Sequence, residues 1–418
     1  MSGGVIVDLL RKTKATYTYL ALLTTSSCLL IVFVNVVLFI YYETGYRGEV
    51  YGRQLSAENL KWLEEVYPQL DSKQIITMVT EKVSRPFVEG QMAQWREAPY
   101  SGTYVNVSEY GFRISKDQVP WPPNARTHLI VFLFGGSTMF GYGVEDEQTL
   151  ASHFQTLLAS TDSALPPAVY NFGQGNYNST QELILFENLI SRGFIPDLAI
   201  FMDGLNEFFI SPEPLSRVAL KRDVRMSYFV RELILRLPMT RAARSLRARM
   251  SSSRNSPESS DLNMPTKAES SLIKNVLDRY IATKSMIEAV SSAFGIDTVF
   301  VWQPVPTYKY DTQYHYALNI SSNGFGRLSI TGPGYEQMYR LKEERGLGES
   351  FLWCADIQEN LAKPLYVDMW HFTGDFNGMV AECIYDSMRK KDSLTLGPRW
   401  AHLRTSPRPQ SRKPTCCD

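Results

Sequence analysis

The sequence predicts a three-layer α/β/α protein built on a central parallel sheet and preceded by one N-terminal transmembrane helix. Three observations predict it. Short apolar runs near residues 128 to 134, 168 to 172, 197 to 202, 297 to 303 and 350 to 356 alternate with helical patterns near 147 to 160, 179 to 192, 267 to 293, 334 to 345 and 375 to 390. Such alternation marks crossover connections, which lay helices on both faces of a parallel sheet. Turns containing glycine follow several of the runs, and an uncharged apolar stretch from Tyr19 to Tyr42 precedes them all.

Taken in order, the apolar stretch is long enough to span a bilayer core. Arg11, Lys12 and Lys14 precede it, while Glu43, Arg47, Glu49 and Arg53 mix signs after it. The positive-inside bias therefore keeps residues 1–18 cytoplasmic, sets 19–42 as the span and puts the rest of this single-pass chain outside the cytoplasm. A cleaved signal peptide is the alternative, but the run is too long and lacks a small-x-small site before charge returns. Residues 43–126 form an aromatic, proline-containing lead-in whose most ordered-looking piece is Tyr104 to Arg113. It forms either a layer packed on the core or one rim of a substrate cleft.

The main domain is expected over 127–392, with an insertion at 211–270. Within the insertion, residues 215–254 are basic and amphipathic, which suits an anionic membrane surface, an acidic polymer or a solvated cap. Ser251 to Ser271 is polar and Ser-rich and reads as disordered, as does the tail 393–418. The 418 residues, 44% hydrophobic with 43 basic against 43 acidic side chains, suit one large domain with extras and give no case for nucleic acid. Of the five cysteines, Cys28, Cys354, Cys383, Cys416 and Cys417, none has zinc-site spacing. Cys354 and Cys383 are expected as buried free thiols on a strand and a helix, with a disulfide between them the alternative. No metal, nucleotide or flavin signature occurs, so no cofactor is expected.

Chemistry enters at Ser137. It lies in Phe134-Gly135-Gly136-Ser137-Thr138, directly after the first apolar run, so its hydroxyl sits at the carboxyl edge of a buried strand, where open α/β folds carry their chemistry. A serine hydroxyl needs an imidazole to take its proton, and the imidazole needs a carboxylate to hold its tautomer. Asp368 and His371, three residues apart, have that chemistry. Among the five histidines, His128, His153, His315, His371 and His402, His315 is the rival, in a tyrosine-rich loop. Two further turns have the makings of an oxyanion hole. Asp203-Gly204-Leu205-Asn206-Glu207 presents an asparagine amide, and Asn171 to Ser179 forms a turn able to point a backbone N–H into a cleft. Helix capping by Asn206 and plain turn formation by the glycines are the other readings of these segments.

Together these segments resemble the SGNH hydrolase superfamily, the GDSL-like esterases and acyltransferases, over roughly residues 127 to 390. Ser137 falls at the nucleophile block in its Gly-Gly-Ser-Thr variant, Gly204-Leu205-Asn206-Glu207 at the Gly-x-Asn-Asp block and Asp368-Met369-Trp370-His371 at the Asp-x-x-His block. The resemblance implies a flavodoxin-like fold, a Ser137–His371–Asp368 catalytic triad and an oxyanion hole from the Ser137 N–H, a Gly175 or Asn176 N–H and the Asn206 side chain. The chain departs from the pattern at Gly136, Glu207 and Asn176, the last where a glycine is expected. Tyr308, Tyr310, Tyr314 and Tyr316 in the loop from Val305 to Gly332 are expected either to stack on substrate or to pack the loop.

The expectation is a membrane-anchored serine hydrolase cleaving an ester, an O-acetyl or short acyl group on an extracytoplasmic carbohydrate, with a lipid ester also open. The alternatives are an O-acyltransferase of an envelope polysaccharide using the same residues, and a non-catalytic glycan-binding or scaffold subunit.

Overall fold

The computed structural model describes residues 3–41, 57–85, 87–90, 94–125, 127–161, 165–209, 266–319 and 324–390. The basic stretch 215–254, the tail 393–418, His402, Cys416 and Cys417 lie outside them. The chain divides into two compact units, residues 1–59 with 213–263 and residues 60–212 with 264–418.

In the first unit, helix α1 spans Gly3–Tyr41. Its part Thr13–Ile40 contains an 18-residue window with a mean hydropathy of 2.4, and it is long and apolar enough to cross a membrane. The helix runs further toward the amino terminus than the expected 19–42 and takes in Arg11, Lys12 and Lys14, residues that favour helix.

In the second unit the lead-in folds first. Helix α2 (Ala57–Val66) is followed by α3 (Ser72–Ser84), whose start is fixed by a capping box between Asp71 and Gln74. A hairpin of β1 (Phe87–Gly90) and β2 (Gln94–Glu97) and a short pair, β3 (Tyr100–Ser101) with β4 (Asn106–Val107), complete it.

The central sheet has strands β5 (Leu129–Gly135), β6 (Pro167–Asn171), β7 (Leu198–Asp203), β8 (Asp297–Trp302) and β9 (Phe351–Trp353), all parallel, in the order β6-β5-β7-β8-β9. The alternation of β5 explains the layers. Ile130, Phe132 and Phe134 point into one core with Phe186 of α6 (Ser179–Ser191) and Leu277 of α7 (Lys267–Phe294). Leu129, Val131 and Leu133 point into the other with Phe154 of α5 (Leu150–Ala159) and Val380 of α9 (Gly374–Lys390). Because both faces are covered, the strand reads as an unbroken apolar run. Phe134, Phe201 and Phe300 stack across β5, β7 and β8 at 4.8 and 5.5 Å between centroids, which ties the strands carrying the site. Helix α4 (Ser137–Phe140) is a single turn after β5, and α8 (Thr331–Arg345) packs on the first core.

Two expectations are corrected. The Ser-rich segment does not stay irregular to Ser271: Thr266 and Glu269 form a capping box that starts α7 at Lys267. Cys354 and Cys383 are not free thiols but form a disulfide. Packing of α9 against the end of β9 brings their Cα atoms to 6.2 Å, within bridging distance. Cys383→Ser should lower unfolding free energy by about 2–4 kcal/mol, read as a lower urea midpoint under non-reducing conditions. An unchanged midpoint contradicts this.

Candidate active site

β5 lies between β6 and β7, so successive crossovers leave it in opposite directions and open a crevice at the carboxyl edge. The turns after all three strands meet there. Ser137 follows β5 as the first residue of α4, where its N–H has no partner within the helix. Close approach explains Gly136: a Cβ there would lie 2.1 Å from Asn206 Nδ2. Gly136, one of the departures from the expected pattern, is thus the residue against which the Asn206 amide packs.

Asp368 and His371 come from the loop between β9 and α9. His371 Nε2 is 2.8 Å from Ser137 Oγ, and its Nδ1 lies 2.8 and 2.6 Å from Asp368 Oδ1 and Oδ2. Asp368 Oδ1 also accepts the backbone N–H groups of Trp370 and His371, each at 2.9 Å. The loop therefore folds around its own carboxylate, which explains the three-residue spacing. Burial alone would raise Asp368, but the His371 ring and the Lys82 ammonium hold it well below the usual carboxylate range.

Asn206 Nδ2 donates to the Tyr177 carbonyl at 2.6 Å. An amide carries two N–H donors, so this bond orients the group and leaves one donor over. The turn between β6 and α6 absorbs the departure at Asn176 by placing it at φ 61°, the left-handed conformation a glycine would take. Gly175 packs under the Tyr142 hydroxyl and the Phe87 ring, and its carbonyl accepts Trp95 Nε1–H at 2.9 Å. Among the described residues, neither the Gly175 nor the Asn176 N–H has a hydrogen-bond partner.

The remaining candidates do not join the Ser137–His371–Asp368 chain. His315 is 2% exposed, accepts the Leu318 N–H through Nδ1 and stacks on Tyr366 at 5.4 Å. Of the two readings of the tyrosines, Tyr308 and Tyr310 take the packing one. Tyr308 is 3% exposed against Tyr335 and Trp353, and Tyr310 is 8% exposed with its hydroxyl donating to the Tyr314 and Lys363 carbonyls. Their rings are spent on the two cores, with Tyr314 packed beside the second. Tyr316 donates its hydroxyl to Glu65.

Sequence reasoning missed what the lead-in brings. Lys82 of α3 donates to Asp368 Oδ2. The Tyr142 ring lies 5.2 Å from the His371 ring and its hydroxyl donates to Glu97 of β2, itself paired with Arg85. Arg113, fully buried, donates to Asp146 at 3.0 Å and to the carbonyls of Phe140 and Val144 at 3.2 and 2.6 Å, bracing the chain just after α4. Burial depresses Arg113 to about 10 against the pull of Asp146. The Gly-Phe-Arg segment at 111–113 was the one visible signal of this role.

Beneath the Asn206 turn three carboxyl groups are buried: Glu182 of α6, Asp203 at the end of β7, and Glu207. Arg279 of α7 donates to the Glu207 carbonyl at 2.9 Å and its carboxylate at 3.1 Å, while Glu207 accepts the Ser179 N–H at 2.7 Å. Burial first, then the charges of Asp203 and Glu207, push Glu182 well above the usual carboxylate range. A carboxyl raised on folding gives its full stability below the unfolded value, about 4, and loses it as pH climbs from there toward the folded value. Glu182→Gln should therefore raise the melting temperature at about pH 8 and leave it nearly unchanged at about pH 4. Equal shifts at both pH values would contradict this.

No family model matches the chain, and no curated protein matches it. Among solved structures it is similar to a member of the lipolytic protein G-D-S-L family from Veillonella parvula, with 10% identity and a TM-score of 0.35 over 63% of this chain and 99% of that one. It is also similar to Axe2, an acetylxylan esterase from Geobacillus stearothermophilus, with 13% identity and a TM-score of 0.32 over 62% of this chain and 93% of that one. Likenesses at these scores carry no argument about activity, and the chemistry of the crevice is read from Ser137, His371 and Asp368 themselves.

Proposed function

We propose that the chain is a serine esterase of the SGNH type, anchored in a membrane by α1 and working outside the cytoplasm on an O-acetyl or other short acyl ester of a carbohydrate. The observation that carries the reaction type is the unbroken hydrogen-bond chain from Ser137 Oγ through His371 to Asp368. His371 Nε2 takes the Ser137 proton while Oγ attacks the ester carbonyl carbon. The tetrahedral oxyanion is held by the Ser137 N–H, the Gly175 or Asn176 N–H and the free Asn206 N–H. Collapse expels the alcohol, which takes the proton from His371. Water, deprotonated by the same imidazole, then attacks the acyl-enzyme and frees the acid and Ser137.

The Cys354–Cys383 disulfide supports the location, because such bonds persist in oxidising compartments. The apolar Thr13–Ile40 segment supports the anchor. The carbohydrate ester is what the SGNH resemblance implies.

The test is hydrolysis of p-nitrophenyl acetate, butyrate and octanoate by the full chain in detergent micelles. Turnover that is fastest on acetate and lost in His371→Ala is expected. A preference for octanoate would point to a lipid ester. Turnover that survives His371→Ala would end the serine-hydrolase reading. Acyl transfer to an added saccharide without hydrolysis would make the chain an acyltransferase.

A further inference from the structure

The triad carboxylate has a partner from outside the sheet. Asp368 Oδ1 accepts two backbone N–H groups and shares the His371 Nδ1–H with Oδ2, and Oδ2 in addition accepts the Lys82 ammonium. An ionised carboxylate offers about four acceptor sites. Lys82 supplies the donor on the one oxygen that the loop's own backbone leaves open.

Lys82 is held there by buried contacts on either side of it. Glu81, 6% exposed, accepts the N–H groups of Thr103, Tyr104 and Val105 at 2.6, 2.9 and 3.0 Å. Arg85, which caps α3, pairs with buried Glu97 at 3.5 Å. Tyr67, just before α3, donates its hydroxyl to the Gly143 carbonyl beyond Ser137 at 2.5 Å. The end of α3 is thus fastened to the strands of the lead-in, and the segment before α3 to the chain just beyond the nucleophile. An ion pair between two free surface side chains would be too loose to set geometry, whereas Lys82 and Asp368 are only 17% and 28% exposed and sit on fixed backbone.

We propose that Lys82 is a positioning residue of this site, holding Asp368 in register with His371, so that the lead-in is part of the active centre and not merely a layer over it. This rests on the serine-hydrolase reading above. The ammonium does two things. It stops the carboxylate from turning about its own axis and losing the two-oxygen contact with Nδ1. It also helps hold Asp368 ionised as the acceptor of the His371 Nδ1–H. The other groups facing the pair do not replace it. Tyr142 lies on the ring with its hydroxyl given to Glu97, Arg85 sits over the Tyr142 ring and is paired with Glu97, and burial disfavours the charged forms of Tyr67 and His315 near Asp368.

The experiment follows modification of Ser137 by a fluorophosphonate and kcat and KM on p-nitrophenyl acetate, using the full chain in detergent micelles with Lys82→Met and Lys82→Arg. Lys82→Met should slow both reactions about ten-fold with little change in KM, and Lys82→Arg should restore most of the loss. An unchanged rate in Lys82→Met, or a loss carried by KM alone, overturns the proposal. So does a loss that Lys82→Arg does not repair, which is what a merely structural strut would give. In those cases Ser137 is still labelled in the parent, so the serine-hydrolase reading stands. A parent chain with no labelling at Ser137 overturns both.

Discussion

Ser137→Ala should reduce turnover of p-nitrophenyl acetate on the order of a million-fold while leaving the fold intact. The magnitude follows from the division of labour at the crevice. Ser137 Oγ stands 2.8 Å from His371 Nε2, and without the hydroxyl there is no covalent intermediate and no proton for the imidazole to move. His371→Ala should cost about as much, because nucleophile and base act as a unit, and the double variant should lose little beyond either single one. Stability should hardly change. Ser137 is small, lies in a one-turn helix and contributes to neither core. Steady-state rates with a matched far-UV spectrum check both halves of the expectation.

Asn206→Ala should slow turnover about a hundred- to a thousand-fold, with the loss in kcat and KM little changed. The side chain is already fixed before substrate arrives: Gly136 leaves room for it and the Tyr177 carbonyl takes one of its donors. A donor fixed in advance costs no reorganisation when charge develops. Because the acid-rich layer below is anchored separately by Arg279 on Glu207, the 205–208 turn should keep its shape when the amide is removed. Asn206→Asp should be at least as slow, since a carboxylate would face the developing oxyanion. A fall confined to KM would mean that Asn206 merely binds substrate.

Much of the sheet was legible because both faces of its strands are covered, and apolar runs between helical patterns have few other solutions. The five expected strands match β5 to β9, with β9 shortened to three residues. The site was legible where a single loop carries two partners, as with Asp368 and His371, or where a turn follows a strand directly, as with Ser137. It was not legible where it depends on segments far apart. Lys82 and Asp368 are separated by 286 residues, and a lone lysine on a helix leaves no periodic trace of what it will meet. The disulfide was not singled out for the same reason, since Cys354 follows a strand and Cys383 lies on a helix, and their approach is set by packing. The tyrosines left two readings open because aromatic rings are as much in demand in cores as on binding surfaces.

The central claim is that Ser137 carries the acyl group between two half-reactions. The most direct measurement is to mix the full chain with p-nitrophenyl acetate, quench in acid within the first turnovers and identify the modified peptide by mass spectrometry. One acetyl group on Ser137, absent from the His371→Ala variant, is the result expected. An acetyl group on another side chain, or hydrolysis in progress with an unmodified Ser137 peptide, would contradict it.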